Sequence, residues 1–407
     1  MTTERRVVIT GLGLVSPLGA DVETSWKGLL AGECGIRPIA EHPDERIPVH
    51  VAGECLDFDP LRCTEKKKLR EGGRFIHLSV DAADQAVRQA GLDAGGLERA
   101  AVLMGIGMGS IRHIEDATRL LDTRGPRRVS PYLIPAMVGN LAAGQVAIRF
   151  GCRGPNLSTT AACTSGAMAI GEAMWMIRNG RCDVALAGGA ESSVDAVALA
   201  GFASLRAASK AADPADASCP YDRRRNGFVL AEGAAVLALE ELEHARRRGA
   251  PILAELRGYA TQTDAHHIAS PDPDGVGLRL ALEGTLADAA LPTDAIGYVN
   301  GHATSTPVGD ATEAAVVGSL LPGVAVSSTK GATGHALGGA GAVEAVFSVL
   351  ALRDGALPAT LHLEEPDPAC DGIDLVRGDA REAAVDAVLS ISSGFGGSNA
   401  GLVFARP

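Results

Sequence analysis

The chain has 407 residues, 46% of them hydrophobic and 21% charged, a balance that supports a large core and excludes a disordered polypeptide. A net charge of -12 and 3% aromatic residues argue against nucleic-acid binding, because both a positive field and a stacking surface are lacking. The length exceeds one ordinary domain and predicts two units or one large duplicated unit.

The 8 cysteines (Cys34, Cys55, Cys63, Cys152, Cys163, Cys182, Cys219, Cys370) are scattered without a Cys-x-x-Cys pair. Neither a zinc site nor a disulfide framework is expected. Met1 to Arg6 runs straight into the apolar strand Val7–Thr10 with no leader-like segment, so a cytoplasmic location with reduced thiols is expected.

After that strand, Gly11-Leu12-Gly13-Leu14-Val15-Ser16 departs from a dinucleotide fingerprint, because Ser16 stands in the third glycine's place. It reads as a tight strand–helix connection, followed by a helix over Asp21–Ala31. Lys66, Lys67, Lys68, Arg70 and Arg74 form a dense basic run. That run is either a solvated helix face or, in so acidic a chain, a dock for an acidic partner. Ala100–Gly105 is a buried strand entering the glycine-rich Ile106–Ser110. The segment from Pro126 to Pro135 is a loop-rich connection near Arg124, Arg127 and Arg128.

Ser158–Gly171 is the centre of the chain. A Thr-rich strand meets Cys163, and a small-residue helix follows directly, ending in Arg178-Asn179-Gly180. A thiol at such a corner faces unpaired N–H groups and the positive end of the helix dipole, both of which favour thiolate. A buried, inert cysteine beside a core helix is the competing reading. Val184–Glu191 is a second buried strand, and the alternation of strands and helices predicts a mostly parallel sheet with both faces covered. Further on come a strand over Ala234–Leu239 and a helix over Glu240–Arg248.

From Pro251 the pattern starts again: strand Ile252–Leu256, helix Gly277–Ala289, strand Ile296–Val299, a small-residue helix from Gly338 to Leu352, and final strands Val388–Ser392 and Gly401–Phe404. The helix after His335 mirrors the helix after Cys163, which suggests a duplication with halves 1–250 and 251–407. His302 and His335 each lie in a loop that follows a strand, where ligand sites of α/β sheets collect. One nucleophile and two imidazoles on neighbouring loops outweigh a structural reading of each residue alone. The loop Gly394-Phe395-Gly396-Gly397-Ser398-Asn399, again after a strand, allows a backbone N–H to point at a reacting oxygen.

Four ordered motifs resemble those of the β-ketoacyl-[acyl carrier protein] synthases, and among them the elongating synthase II type: Thr-Ala-Ala-Cys163-Thr-Ser-Gly, Asn-Gly-His302-Ala-Thr-Ser-Thr-Pro, Lys330 through His335, and Gly-Phe395-Gly-Gly-Ser-Asn. The resemblance implies an α/β thiolase-like fold, two similar halves stacked as a five-layered αβαβα sandwich. It also implies decarboxylative condensation of an acyl-Cys163 with a malonyl thioester, acyl carrier protein as partner, a homodimer, and neither metal nor cofactor. By the same resemblance, His302 and His335 promote loss of CO2 as neutral Nε2–H donors, and the N–H groups of Cys163 and Phe395 form an oxyanion hole. Lys330 organises the site with Glu344 as its ionic partner. Thr304 and Thr306 hold the pantetheine arm, Phe395 gates the pockets, and Met108 lines the acyl tunnel. Lys66, Lys67, Arg70, Arg74 and Arg206 form the carrier-protein dock. Asp310 and Glu313 are read as structural.

Four positions depart from that family's pattern. Ala303 stands where glycine is usual, Gly301 where alanine is usual, Ser398 replaces threonine, and Ala269 stands where a hydroxyl often touches pantetheine. A positive φ at Ala303 would cost about 1 kcal/mol and displace the imidazole. Competing readings are the catalytic subunit of a dissociated polyketide or polyene synthase, working as a heterodimer with a ketosynthase-like partner, and a non-catalytic chain-length-setting subunit. The second typically lacks the nucleophile that Cys163 supplies.

Overall fold

A computed structural model describes residues 5–407. The strands of its main sheet are β1 (Val7–Val15), β2 (Ala101–Ile106), β3 (Asn156–Thr159), β4 (Val184–Glu191), β5 (Gly233–Glu241), β6 (Ala254–Thr263), β7 (Ile296–Asn300), β8 (Ala325–Ser327), β9 (Asp374–Leu375), β10 (Ala387–Gly394) and β11 (Ser398–Ala405). The main helices are α1 (Val22–Leu30), α2 (Arg74–Ala90), α3 (Ile111–Arg124), α4 (Asn140–Phe150), α5 (Ser165–Arg178), α6 (Ala196–Ser204), α7 (Val276–Ala289), α8 (Pro307–Leu320) and α9 (Ala340–Asp354).

The strands run in the order β9-β8-β7-β10-β11-β6-β1-β5-β4-β2-β3. The two halves meet at β1 and β6, joined by only Val8↔Glu255 and Ile9↔Ala254. Layering follows from which faces are apolar. Residues Ala340–Leu352 of α9 are buried without interruption, and α9 and α5 share one core with β1, β5, β6 and β11. A helix that is apolar all round belongs inside, so this pair is the central layer. Helices α2 and α4 cover the outer face of the first half, and α7 and α8 that of the second, giving five layers.

Helix α2 shows the local logic. Its buried stripe (Phe75, Ile76, Leu78, Ala82, Ala86) faces the sheet, and Gly91 at φ 63 closes its C-terminus in the left-handed conformation. Between α5 and strand β6 the packing is tighter still. A Cβ at Gly171 would lie 2.2 Å from the Tyr259 ring, so glycine is what lets the helix and strand meet.

The sheet is not mostly parallel. Five of its neighbouring pairs are antiparallel and five parallel. Alternation of elements predicts crossovers but is blind to strands such as β5 and β11 that return alongside their predecessors. The expected strand from Ile252 begins at Ala254, and the helix expected from Glu240 begins at Leu242. Glu240 lies in the last residues of β5 instead, where Thr10 (2.5 Å), His244 (2.8 Å) and Arg248 (Nε, 2.8 Å) surround its buried carboxylate. Among the described residues no helix is long and apolar enough to cross a membrane.

Candidate active site

Cys163 lies past the end of β3, in a sharp turn that leads into α5. Ala162 has φ 50, a conformation that disfavours any side chain, and hydroxyls hold it there. Ser165 Oγ accepts from Ala161 N (2.9 Å) and donates to Ala162 O (2.6 Å), while Thr164 Oγ1 donates to Ala161 O (2.7 Å). Cys163, Met108, Ile111 and Phe202 pack against one apolar cluster. Burial there pushes the thiol up to about 12, against the lowering pull of Lys330 and of the Phe395 backbone N–H. Burial thus opposes the thiolate that the helix dipole is expected to favour.

His335 Nε2 lies 3.0 Å from Cys163 Sγ. The rings of His302 and His335 meet edge-on with centroids 5.2 Å apart. Their protonation follows from their neighbours. Lys330 Nζ lies 3.4 Å from His302 Nδ1, and an ammonium only donates, so Nδ1 accepts and the ring proton sits on Nε2. His335 Nδ1 is buried without a hydrogen-bond partner among the described residues. A bare lone pair there is less costly than an unpaired N–H, which places this proton on Nε2 as well. Burial, with Lys330 adding to it, holds both imidazoles well below their usual range and therefore neutral.

Lys330 and Glu344 form a buried ion pair. Burial pushes the Glu344 carboxyl up to about 7 against the lowering contact with the ammonium. The Cys163, His302 and His335 ligand atoms lie within 4.8 Å of one another, a spacing that a soft metal ion can also use. The adjacent Lys330 charge opposes a cation there.

Carboxylates that the sequence reading left as structural hold the His302 loop. Glu313 accepts from the backbone N of His302 (2.6 Å) and Ala303 (3.0 Å) and from the Tyr221 hydroxyl (2.6 Å). Asp310 accepts from the N–H groups of Tyr221, Thr304 and Thr306. Thr304 and Thr306 are half-buried with their hydroxyls 3.2 Å apart, and Thr304 shares the lining of a cavity with His302.

Gly394 abuts the Cys163 turn, and a Cβ there would come within 3.1 Å of Cys163 N. Ser398 Oγ lies 2.9 Å from Thr164 Oγ1, tying this glycine-rich loop to the nucleophile's turn. Asp264, which the sequence reading passed over, fastens the loop from the other side. It accepts from Asn399 Nδ2 (2.7 Å), and its own N–H donates to Gly397 O (2.8 Å). A lone Asp just past a strand is a weak signal without its partner. Phe395 is partly exposed and packs on Phe202 at a centroid distance of 6.3 Å.

The pattern for the beta-ketoacyl synthase N-terminal domain matches residues 4–245, and that for the C-terminal domain matches residues 253–364. The chain belongs to the beta-ketoacyl synthase family. It is 43% identical over 410 residues to a 3-oxoacyl-[acyl-carrier-protein] synthase 2 of Coxiella burnetii, covering 99% of each chain. Among solved structures, the ishigamide ketosynthase/chain length factor superposes with a TM-score of 0.93 at 33% identity, with 100% of each chain covered. A type II polyketide ketosynthase bound to a hexaketide, in complex with its acyl-carrier protein, gives 0.89 at 29%, also with 100% of each covered. The fold is therefore thiolase-like, and the protein is an acyltransferase-class condensing enzyme.

Two of this ketosynthase's departures have physical explanations. Ala303 keeps an ordinary φ, so no strain arises there. Gly301 is required by its surroundings, because a Cβ would lie 2.3 Å from the Tyr221 hydroxyl oxygen and 2.7 Å from Glu313 Oε1. At Ala269 the hydroxyl is absent, although the exposed Ser270 stands beside it.

The basic run divides in two. Lys66, Lys67 and Arg70 are exposed on a short 3-10 turn over Lys66–Glu71, Lys67 paired with Glu65 at 2.9 Å and Arg70 over the Tyr132 ring at 5.2 Å. Arg74 is half-buried and donates to Glu232 (2.8 Å) and to Cys55 O (2.6 Å), so much of its charge is already engaged within the chain. Arg206 is exposed in the turn after α6, at φ 59.

Proposed function

We propose that this ketosynthase elongates acyl chains carried on acyl carrier protein, as a 3-oxoacyl-[acyl carrier protein] synthase of the fatty-acid type. The observation that carries the reading is the paired His302 and His335 rings, 5.2 Å apart, with His335 Nε2 3.0 Å from Cys163 Sγ. In the first half-reaction Sγ attacks the acyl thioester carbonyl, the bond to the pantetheine sulfur breaks, and the thiol proton ends on that departing sulfur. In the second, the malonyl carbon–carboxylate bond breaks and CO2 leaves. The electron pair becomes an enolate whose oxygen accepts from the two Nε2–H groups.

The enolate carbon then attacks the acyl-Cys163 carbonyl. Oxygen charge collects against the N–H groups of Cys163 and Phe395, a type of contact often worth ~3 kcal/mol. The Cys163 sulfur leaves and takes a proton from solvent. No step in this scheme calls for a resident cofactor or metal.

Identity of 43% to a synthase 2, against 33% and 29% to polyketide-type structures, favours fatty-acid elongation. We take the assembly to be a homodimer. Strand β3 is one edge of the sheet, and the apolar Leu157 on it is exposed, as are Ile134 and Ile148. Such an edge is normally covered, and a second copy is the covering proposed here. The test is to purify the chain alone, determine its mass in solution, and supply malonyl-carrier with a ladder of acyl-carriers. A homodimer yielding 3-oxoacyl products two carbons longer is expected. A chain that is insoluble or inactive without a second, different subunit would move the assignment to the dissociated polyketide type.

A further inference from the structure

Glu191 ends strand β4 with no exposed surface and plays no part in the chemistry above. Its carboxylate gathers the backbone N–H groups of three successive residues: Gly107 (3.0 Å) and Met108 (3.0 Å) on Oε2, and Gly109 (3.2 Å) on Oε1. Ser193 Oγ donates to Oε1 at 3.1 Å, and the backbone N–H of Gly338 also faces the group. One buried carboxylate is thus shared by the loop that carries Met108 in the first half and the turn after His335 in the second.

The two backbones touch at this point. A Cβ on Gly338 would lie 2.1 Å from Gly107 N, and one on Gly107 would lie 2.5 Å from Glu191 Oε2. Gly109, at φ 74, completes the bend around the carboxylate. The two loops differ in what else holds them. His335 is pinned independently, its N–H donating to Val229 O (2.8 Å) and its carbonyl accepting from Ala231 N (3.0 Å). The N–H groups of residues 107–109 converge on Glu191 alone. Met108, like Cys163, Ile111 and Phe202, packs against one apolar cluster, and as a tunnel wall it would move with its backbone.

We propose that Glu191 is a positioning residue for acyl-chain selection: its carboxylate fixes the Gly107–Gly109 loop, and through Met108 it determines which chain lengths Cys163 accepts. The proposal rests on the reading of Met108 as a wall of the acyl tunnel. Glu191→Gln keeps the size of the side chain but turns one acceptor into a donor that faces other donors. A buried mismatch of that kind moves the loop rather than persisting.

The test is a ladder of short to long saturated acyl-carriers with malonyl-carrier, measured for the wild type, Glu191→Gln, Met108→Ala and the double variant, with thermal melts alongside. The ratio of kcat/KM between long and short chains is expected to change about tenfold in Glu191→Gln, and much less when Met108 is already Ala, as coupled residues require. Should Glu191→Gln fail to fold, Ser193→Ala withdraws one hydrogen bond from the carboxylate and is expected to shift the ratio in the same direction by a smaller factor. A uniform loss across all chain lengths, or full additivity with Met108→Ala, overturns the proposal while leaving the condensing function intact. If Met108→Ala itself leaves the ratio unchanged, the tunnel reading falls and takes the proposal with it. Absence of any condensation by the wild type removes the functional reading as well.

Discussion

The first half of the sheet runs β3-β2-β4-β5-β1 and the second β8-β7-β10-β11-β6, with the same succession of parallel, parallel, antiparallel and antiparallel pairs. Corresponding strand ends carry different chemistry. After β3 comes Cys163, and after its counterpart β8 come Lys330 and His335. Bare backbone at residues 107–109 follows β2, where β7 is followed by His302. Strand β4 ends in Glu191, whereas β10 opens into the glycine-rich loop. Two halves of matching topology separate the work in the proposed reaction: the first would hold the covalent acyl group, and the second the donors that stabilise an enolate. Their strand ends converge at one point, so neither half has a complete site.

The strongest way to break this division is to remove one side at a time. Cys163→Gln is expected to abolish condensation, a loss of at least about 10³-fold, while leaving malonyl decarboxylation measurable. His335→Ala should do the converse, lowering decarboxylation by roughly 10²–10⁴-fold while radiolabelled acyl transfer to Cys163 continues. If both variants lose both partial reactions equally, the halves do not divide the chemistry.

Next in size is the ion pair that belongs to the second half only. Lys330→Met leaves the Glu344 carboxylate buried and unpaired, with an expected loss of about 3–5 kcal/mol in stability. Lys330→Met combined with Glu344→Gln should recover most of that loss in a denaturant melt but little of the activity, since His302 Nδ1 then lacks its donor. Recovery of both would make the pair purely structural.

A third comparison sets the sulfur against the imidazoles as pH changes. The Cys163 thiol is pushed up to about 12, so between pH 6 and 9 the thiolate is a small fraction that grows tenfold per unit. Iodoacetamide labelling of Cys163 is therefore expected to accelerate by about tenfold per pH unit with no plateau in that range. The imidazoles are depressed well below 6.5 and stay neutral throughout, so decarboxylation should be flat over the same range. A labelling plateau below pH 8 would restore the dipole-stabilised thiolate as the resting form.

How far these features could be read from the sequence depends on whether a residue's role is local. Cys163, His302, His335 and Lys330 each sit in a strand-end motif, and the motif carries the chemistry. The roles of Glu191, Glu313, Asp310 and Asp264 arise from backbone amides that chain folding brings to them from far away in sequence. Gly301 shows the same limit, since its need for glycine comes from the Tyr221 hydroxyl on another segment. Helices α2, α3, α4, α6 and α8 were not anticipated either. The small or mixed side chains of α6 and α8 give little amphipathic contrast, and no residue of α3 is fully buried.

The smallest expected effect separates the two parts of the basic run, which sequence alone treats as one. Lys66→Glu, Lys67→Glu and Arg70→Glu together reverse exposed charges, and attraction between exposed charges acts mainly on encounter. KM for acyl carrier protein substrates is expected to rise about tenfold at moderate salt, with kcat and the KM for small acyl thioesters little changed. Arg74→Ala should behave in the opposite way. It removes the partner of the buried Glu232 carboxylate and the donor to Cys55 O, so the melting temperature falls while KM for the carrier protein holds. A rise in carrier-protein KM on Arg74→Ala without loss of stability would return that residue to the docking surface and undo the division.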